Sequence, residues 1–338
     1  MVQLKPIKMK KNNKLFLSLA RTFLILSMSI AIISCKSDTK EKPEQPGKTD
    51  IEEGSKSKSK SSNEVISIIT NAMEFNTKER WKSGWKTIKY KNNSNETHFI
   101  LFDKYPEGKN LEDTKKEIVP PFQEGMDFIN AGEFEKVGEA FGKLPEWFQE
   151  VEYKGGVGLI SAKSTAQSTI YLDPGTYIIE CYVKMANGVF HSTEGMNKQI
   201  EVTKADSSKL DIKADYVINI DVNNGIVFNE MVSAGEKTFK VKFGEQKVHE
   251  NYVMSDVHLV WIDEGADISK LNSWMNWADP KGLQTPSPEG FKFLGGMQEM
   301  NQGGTGYFTV NIRSGNYALI AEVPDPQSKG LLKTFTVK

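Results

Sequence analysis

The chain has 338 residues, enough for two ordinary domains that each bury a core of their own. Its 43 basic and 44 acidic residues leave a formal charge of −1, so no net positive field attracts nucleic acid. With 38% hydrophobic and 10% aromatic residues, the composition is typical of a folded soluble protein and excludes a wholly disordered chain.

The first segment, residues 1–34, has the pattern of an export signal. A basic stretch is followed by an apolar run over residues 22–33, which is too short to cross a bilayer comfortably. The run closes on "IISC", residues 32–35. This stretch resembles the bacterial lipobox, and the resemblance implies cleavage before Cys35 and acylation of that cysteine, with palmitate among its lipids. A plain secretory signal or a short membrane anchor is the alternative.

Residues 35–63 have the composition of a disordered tether. The stretch 36–62 contains almost nothing apolar and much Lys, Ser, Glu and Pro, so it cannot bury surface. We predict that it lifts the folded part away from a lipid surface. Lys36 directly after the cysteine favours the outer membrane, with the protein on its periplasmic or surface-exposed face.

An internal repeat organises the remaining chain. "GGVGLISAKSTAQSTIYLDPGTYIIECYV" from Gly155 matches "GGMQEMNQGGTGYFTVNIRSGNYALIAEV" from Gly295 without a gap. Before these, "THFILFDKYPEG" is paired with "VHLVWIDEGAD", which sets His98 opposite His258. The repeat predicts a first domain over 64–204, a linker over 205–213 and a second domain over 214–338.

Both copies read mostly as strands. In "YIIECYV" the residues alternate, and Cys181 shares a face with Ile179 and Val183. Several such runs per copy, stopped by turn signals such as "DPG", indicate an antiparallel sandwich. "NLEDTKKEI" and "DISKLNSWMNWADP" predict a short helical insert in each copy. The predicted fold class is therefore all-β, with two tandem antiparallel β-sandwich domains.

Two stretches of the first copy resemble the cupredoxins, the plastocyanin- and azurin-type blue-copper family. "NNSNETHFILFDKYPEG" is similar to the segment that bears the first copper histidine, and "LDPGTYIIECYVKMANGVFHSTEGMNKQIEV" to the closing half of the fold. The resemblance implies cupredoxin-like domains, with one copper ion in the first held by His98, Cys181 and His191 and by Met196 as axial ligand. A thiolate, two imidazoles and a weak thioether suit copper in both oxidation states. The nine residues between Cys181 and His191 form a longer loop than is usual in the family.

The residue pattern also allows Cys181 to be a plain core residue, because a buried free cysteine behaves as a small hydrophobe. In the second copy Ala321 takes its place, Leu331 replaces Met196, and the loop is shortened to "PDPQSKG". The second domain is therefore predicted to be a degenerate copy without a copper ligand set. His98 and His258 can likewise be strand histidines that neighbours satisfy. His249 is predicted to be solvated in a loop.

The tryptophans offer a third kind of site. Trp274 and Trp277 lie three apart on the predicted helix of the second copy and could stack against a glycan. The alternative is that they seal the helix onto the sandwich.

Enzyme motifs are missing from the sequence: there is no GxSxG, HExxH, CxxC or phosphate-binding glycine loop. We therefore predict no enzyme activity. The favoured hypothesis is a non-catalytic, lipid-anchored cell-envelope protein whose two cupredoxin-like domains bind an envelope protein or small ligand without a cofactor. The first alternative is copper binding and electron transfer through the first domain, with one copper ion. The second is a glycan-binding surface lipoprotein.

Overall fold

The structure is a computed structural model that describes residues 64–205, 210 and 212–338. The predicted signal segment, Cys35 and the tether lie outside the described residues. The described residues belong to one compact unit. Within them, no helix combines the length and apolar character needed to cross a bilayer.

The described ranges contain sixteen strands, eight before and eight after residues 205–213. The first half holds β1 (Glu64–Thr70), β2 (Arg80–Lys82), β3 (Gly84–Asn92), β4 (His98–Lys104), β5 (Glu152–Ile160), β6 (Thr165–Leu172), β7 (Gly175–Glu180) and β8 (Asn197–Thr203). The second half holds β9 (Tyr216–Asp221), β10 (Gly225–Val227), β11 (Gly235–Phe243), β12 (Val257–Ile262), β13 (Phe291–Met297), β14 (Thr305–Ile312), β15 (Gly315–Ile320) and β16 (Leu332–Val337).

Helices fill the inserts between β4 and β5 and between β12 and β13. The first insert is larger than the predicted "NLEDTKKEI" piece, because a further helix, α2 (Val119–Ala131), follows it. Prolines are tolerated in the first turn of α2, where a missing N–H is harmless. Left-handed Gly132 ends α2 and lets α3 fold back on it. The helical elements are α1 (Leu111–Asp113), a π-helical turn (Thr114–Ile118), α2 (Val119–Ala131), α3 (Phe134–Phe141), a 3-10 turn (Glu146–Glu150) and α4 (Ile268–Trp274).

The strands form two sheets that face each other across one core. One sheet has the order β1-β3-β6-β14-β11-β9-β10, and the other β16-β15-β12-β13-β5-β4-β7-β8-β2. The prediction of two tandem β-sandwiches is confirmed. The sheets are mixed rather than purely antiparallel, because β1 with β3, β2 with β8 and β9 with β11 pair in parallel.

Both sheets continue from one half into the other. β6 pairs with β14 so that Ser168 lies opposite Phe308, and these two residues hold the same place when counted from the double glycine of each copy. β5 meets β13 at Ile160 and Leu294, and the equivalent pair is Lys154 with Met300. Such self-matching contacts are those of an approximate two-fold axis between the halves. A single hydrophobic core therefore spans both copies.

The strand register corrects one pairing of the repeat. His258 lies opposite Gly296, the second glycine of the pair in the second copy. In the first copy, the second glycine faces Leu101 and not His98. His258 is thus the counterpart of Leu101, and Ser255 is the counterpart of His98. The predicted match of His98 with His258 is wrong, because it aligned two similar runs of letters that are offset by three residues in the fold.

Candidate metal centre

The long loop after β7 folds as a hairpin. Met185 N–H donates to Val189 O across the turn at 2.8 Å. On the way back, His191 N–H donates to Val183 O at 2.9 Å, which returns the histidine to the side of Cys181. The extra length of this loop therefore does not separate the two predicted ligands.

Three of the predicted ligands converge on one point. His98 at the start of β4 and His191 in the loop each place Nδ1 3.7 Å from Cys181 Sγ. The donor atoms of the three side chains lie within 4.8 Å of one another, and all three side chains are buried. Within the described residues, this is the one cluster of His, Cys and acidic groups with the spacing of a metal site.

Met196 lies next to the cluster through its main chain. Its N–H donates to His191 O at 2.9 Å, and its carbonyl oxygen accepts from Cys181 N–H at 3.2 Å. Its side chain is fully buried. The backbone thus ties the predicted axial residue to two of the three predicted equatorial ligands, and the axial role itself stays a prediction.

Polar side chains lie on the far side of both rings. His98 Nε2 lies 2.8 Å from Ser94 Oγ, and His191 Nε2 lies 2.9 Å from Glu96 Oε2. Ser94 Oγ in turn donates to Asn92 Oδ1 at 2.7 Å. Partners of this kind fix ring orientation in metal sites and leave the other ring nitrogen facing the metal.

Sequence reasoning missed Ser94 and Glu96 as parts of the site. Both lie in the quoted stretch "NNSNETH", four and two residues before His98. The only signal was that a polar, turn-forming run directly precedes a buried strand. Burial raises the pKa of Glu96 above the usual range of a carboxyl group.

Burial sets the protonation of the cluster. It lowers the pKa of His98 to about 3, with the neighbouring His191 as a second cause, and that of His191 to about 4. It raises the pKa of Cys181 to about 12. At neutral pH both imidazoles are therefore neutral, which is the form that binds metal. A metal cation beside the sulfur would supply the charge that stabilises a thiolate in this dry setting.

The donor set fits copper. Thiolate sulfur and imidazole nitrogen are ligands that copper accepts in both oxidation states, and a weak thioether is the usual fourth group of a blue-copper site. Cys181, His98 and His191 supply the first two types, and Met196 is a thioether held beside them. The four residues thus match the ligand types that the cupredoxin resemblance implied.

The second half has a different set at the matching places. Ser255 stands where His98 is, and Ala321 stands where Cys181 is. Ala321 N–H donates to Leu331 O at 3.0 Å, as Cys181 N–H does to Met196 O, so Leu331 is the counterpart of Met196. The backbone of the site is therefore conserved between the halves, while its donor side chains stand only in the first.

The two histidines of the second half make structural contacts. His249 is buried, with Nε2 3.0 Å from Ser255 Oγ, so the prediction that it is solvated is wrong. His258 Nδ1 accepts from Leu159 N–H at 2.9 Å, and its Nε2 lies 2.6 Å from Asp256 Oδ2. His258 therefore joins the second half to β5 of the first.

Trp274 and Trp277 are not placed for stacking against a glycan. Their side chains are buried, 5% and 2% exposed. Trp274 Nε1 donates to Gln284 O, and Trp277 Nε1 donates to Asn251 O. Rings so enclosed present no open face to a sugar, and they seal the insert onto the sandwich as the alternative interpretation held.

Comparisons with solved structures match this chain to several copper proteins, all at low similarity. Auracyanin A, a "blue" copper protein from Chloroflexus aurantiacus, is 20% identical, covers 42% of this chain and 100% of its own, and has a TM-score of 0.25. A multicopper oxidase is 12% identical over 81% of this chain and 88% of its own, at a TM-score of 0.21. A copper-containing nitrite reductase from Thermus scotoductus is 13% identical over 81% of this chain and 61% of its own, also at 0.21. No protein-family model and no curated protein matches the sequence.

The chain's own two facing sheets form the β-sandwich framework that the resemblance of the sequence to cupredoxins implied. At such TM-scores, the roles of individual residues depend on the geometry of this chain alone. The prediction of no enzyme activity is corrected by the same comparisons, because the matched structures include enzymes, the multicopper oxidase and the nitrite reductase. Missing hydrolase, protease and nucleotide motifs do not exclude copper catalysis. The similarity does not make this chain an enzyme either.

Proposed function

We propose that the first half binds one copper ion through His98, Cys181 and His191, with Met196 as axial ligand, and that the protein works in electron transfer or copper handling. The observation that carries this proposal is the convergence of three buried side chains, one thiol and two imidazoles, whose donor atoms lie within 4.8 Å of one another. A plain core cysteine does not require two buried histidines directed at its sulfur.

The surroundings favour electron transfer. Ser94 and Glu96 lie behind the two rings, and main-chain hydrogen bonds join residues 181, 191 and 196. A copper ion supplies the one-electron chemistry when bound. Ligands that keep their places on oxidation and reduction keep the reorganisation small, which makes electron exchange fast. The chain's own contribution is a rigid, dry set of donors.

Copper titration of the purified full-length protein tests the proposal. Addition of one equivalent of Cu(II) should produce an intense thiolate-to-copper absorption band at about 600 nm. A mild reductant should bleach the band and an oxidant should restore it, because the ligands suit both oxidation states. A folded sample that stays colourless in excess copper, or that binds copper without this band, would refute the proposed site.

We further propose that Cys35 carries a lipid anchor, which would hold the copper-binding half near a bacterial outer membrane. The support comes from the sequence: an apolar run closes on "IISC", and residues 36–62 form a polar spacer. Cells expressing the protein should incorporate labelled palmitate into it, and Cys35→Ala should remove the label and release the protein from the membrane fraction. Label that persists in Cys35→Ala would exclude this anchor.

A further inference from the structure

Lys184 is a fully buried lysine in the loop between Cys181 and His191. In the described part of the chain its Nζ forms no ion pair. Instead it donates to Trp277 O at 2.8 Å and to Asp279 O at 2.6 Å, both in the second half, and to Met126 Sδ at 3.6 Å. An ammonium group has three hydrogens, and three acceptors use all of them.

The main chain of Lys184 is attached to the same region. Its N–H donates to Leu283 O at 2.8 Å, and its carbonyl oxygen accepts from Thr285 N–H at 2.8 Å and from Thr285 Oγ1 at 3.2 Å. Between Leu283 and Thr285, Gln284 Nε2 donates to Ala186 O at 2.8 Å. We call residues 274–287, which include these partners, the cover segment. It belongs to the insert of the second half and begins at the last residue of α4.

The cover segment also reaches the partner of a predicted ligand. The Thr285 side chain lowers the pKa of Glu96 against the larger effect of burial, which raises it, and Glu96 Oε2 lies 2.9 Å from His191 Nε2. Thr97 Oγ1, next to His98, donates to Ser287 Oγ at 3.4 Å. The cover segment thus contacts the loop that carries His191, at Lys184. It also contacts residues 96 and 97, directly before His98.

A lysine is an expensive choice for this position if packing alone decides it. Burial lowers the pKa of Lys184 to about 7, because the charged amine has lost its water and the nearby Asp279 and Glu322 compensate only in part. A methionine would fill a similar volume without that penalty. What a lysine adds is directional bonding to main-chain carbonyl oxygens of the second half.

We propose that Lys184 is a positioning residue that fastens the loop of Cys181 and His191 to the cover segment. Through this contact, the second half fixes the geometry of the metal site in the first half, although the second half has no ligand set of its own. The effect on bound metal rests on the proposed function. The effect on the loop does not, because it concerns hydrogen bonds that exist without metal.

Amide hydrogen exchange of the full-length protein without metal tests the fastening. In Lys184→Met, amides of residues 181–196 should exchange at least about tenfold faster than in the wild type, the size expected when hydrogen bonds to a charged donor are lost. Lys86→Met is the matched control: Lys86 is also buried in the first half, but its Nζ pairs with Glu64 on β1. It should leave exchange in residues 181–196 unchanged. Equal loop exchange in Lys184→Met and the wild type would overturn the proposal.

Copper loading gives the second readout. The absorption band of Lys184→Met should be shifted or weakened relative to the wild type, whereas Lys86→Met should keep the wild-type spectrum. Thr285→Val removes only the hydroxyl that contacts Lys184 O, so amides of the loop should exchange faster than in the wild type but less so than in Lys184→Met. This variant tests the proposal if Lys184→Met does not fold. A wild type without the band would refute the copper site, while loop exchange would still decide the role of Lys184.

Discussion

Cys181→Ala should abolish the thiolate-to-copper band and lower copper affinity by more than about 100-fold. Loss of a residue that only hydrogen-bonds to a ligand typically costs up to about that factor, and Cys181 is itself a proposed ligand. The sulfur is the one soft donor that both imidazoles face, at 3.7 Å from each Nδ1. The fold should survive the change, because Ala321 stands at the matching position with the same main-chain bond. We expect a stability loss of only about 1 kcal/mol from the small cavity. Competition with a chelator of known affinity measures the first effect, and urea unfolding measures the second.

The reverse substitution is the control. Ala321→Cys places a thiol at the same point of the second half, where Ser255 replaces one histidine and the loop for the other is short. This variant should show a single band from the first half, as the wild type does. A copper band that remains in Cys181→Ala, or that doubles in Ala321→Cys, would contradict the assignment of the site to the first half.

Gly156→Ala should lower the free energy of unfolding by about 4 kcal/mol or prevent folding. Gly156 has a φ of +152° in the middle of β5. A Cβ atom added there would lie 1.9 Å from the carbonyl oxygen of Ile100 on β4. Because that atom belongs to the main chain of a central strand, no side-chain rotation relieves the clash, and β4 with His98 would have to move. Urea unfolding followed by tryptophan fluorescence measures the loss.

Gly108→Ala separates the clash from backbone strain. Gly108 also has a positive φ, +85°, but an added Cβ would have no atom within 4 Å. It should cost only the about 1–2 kcal/mol of a strained backbone residue. If the two alanine variants lost equal stability, the close approach of β4 and β5 would not be what requires glycine at position 156.

The double glycine shows why the repeat was readable from sequence. Gly296 in the second half would bring its Cβ to 2.1 Å from Val257 O, much as Gly156 would meet Ile100 O. Both copies therefore need glycine for the same local reason, and the same residue type recurs at the matching position of the sequence. Two of the ligand residues were readable for a similar reason, since Cys181 and His191 lie on one continuous loop.

Contacts between distant segments could not be read in this way. Lys184 meets carbonyl oxygens about ninety residues further along the chain, and any residue type can supply a carbonyl oxygen. The burial of His249 is a different case, because its partner Ser255 lies only six residues further along the chain and the sequence indicated an exposed loop there. The register of β12 was misjudged because strands of alternating apolar residues look alike when shifted along the chain.

Because both sheets run through the two halves, the second half, which has no ligand set, supports the strands of the first. β5, β6, β13 and β14 are inner strands only because each half supplies a neighbour to the other. If the two halves were separated, each would have two new edge strands with unpaired backbone N–H and C=O groups. Such edges pair readily with other chains and promote aggregation. Donor side chains could thus be lost from one duplicate without harm, whereas deleting that duplicate would strip the survivor of its flank. Each half of the repeat therefore depends on the other for the pairing of its inner strands.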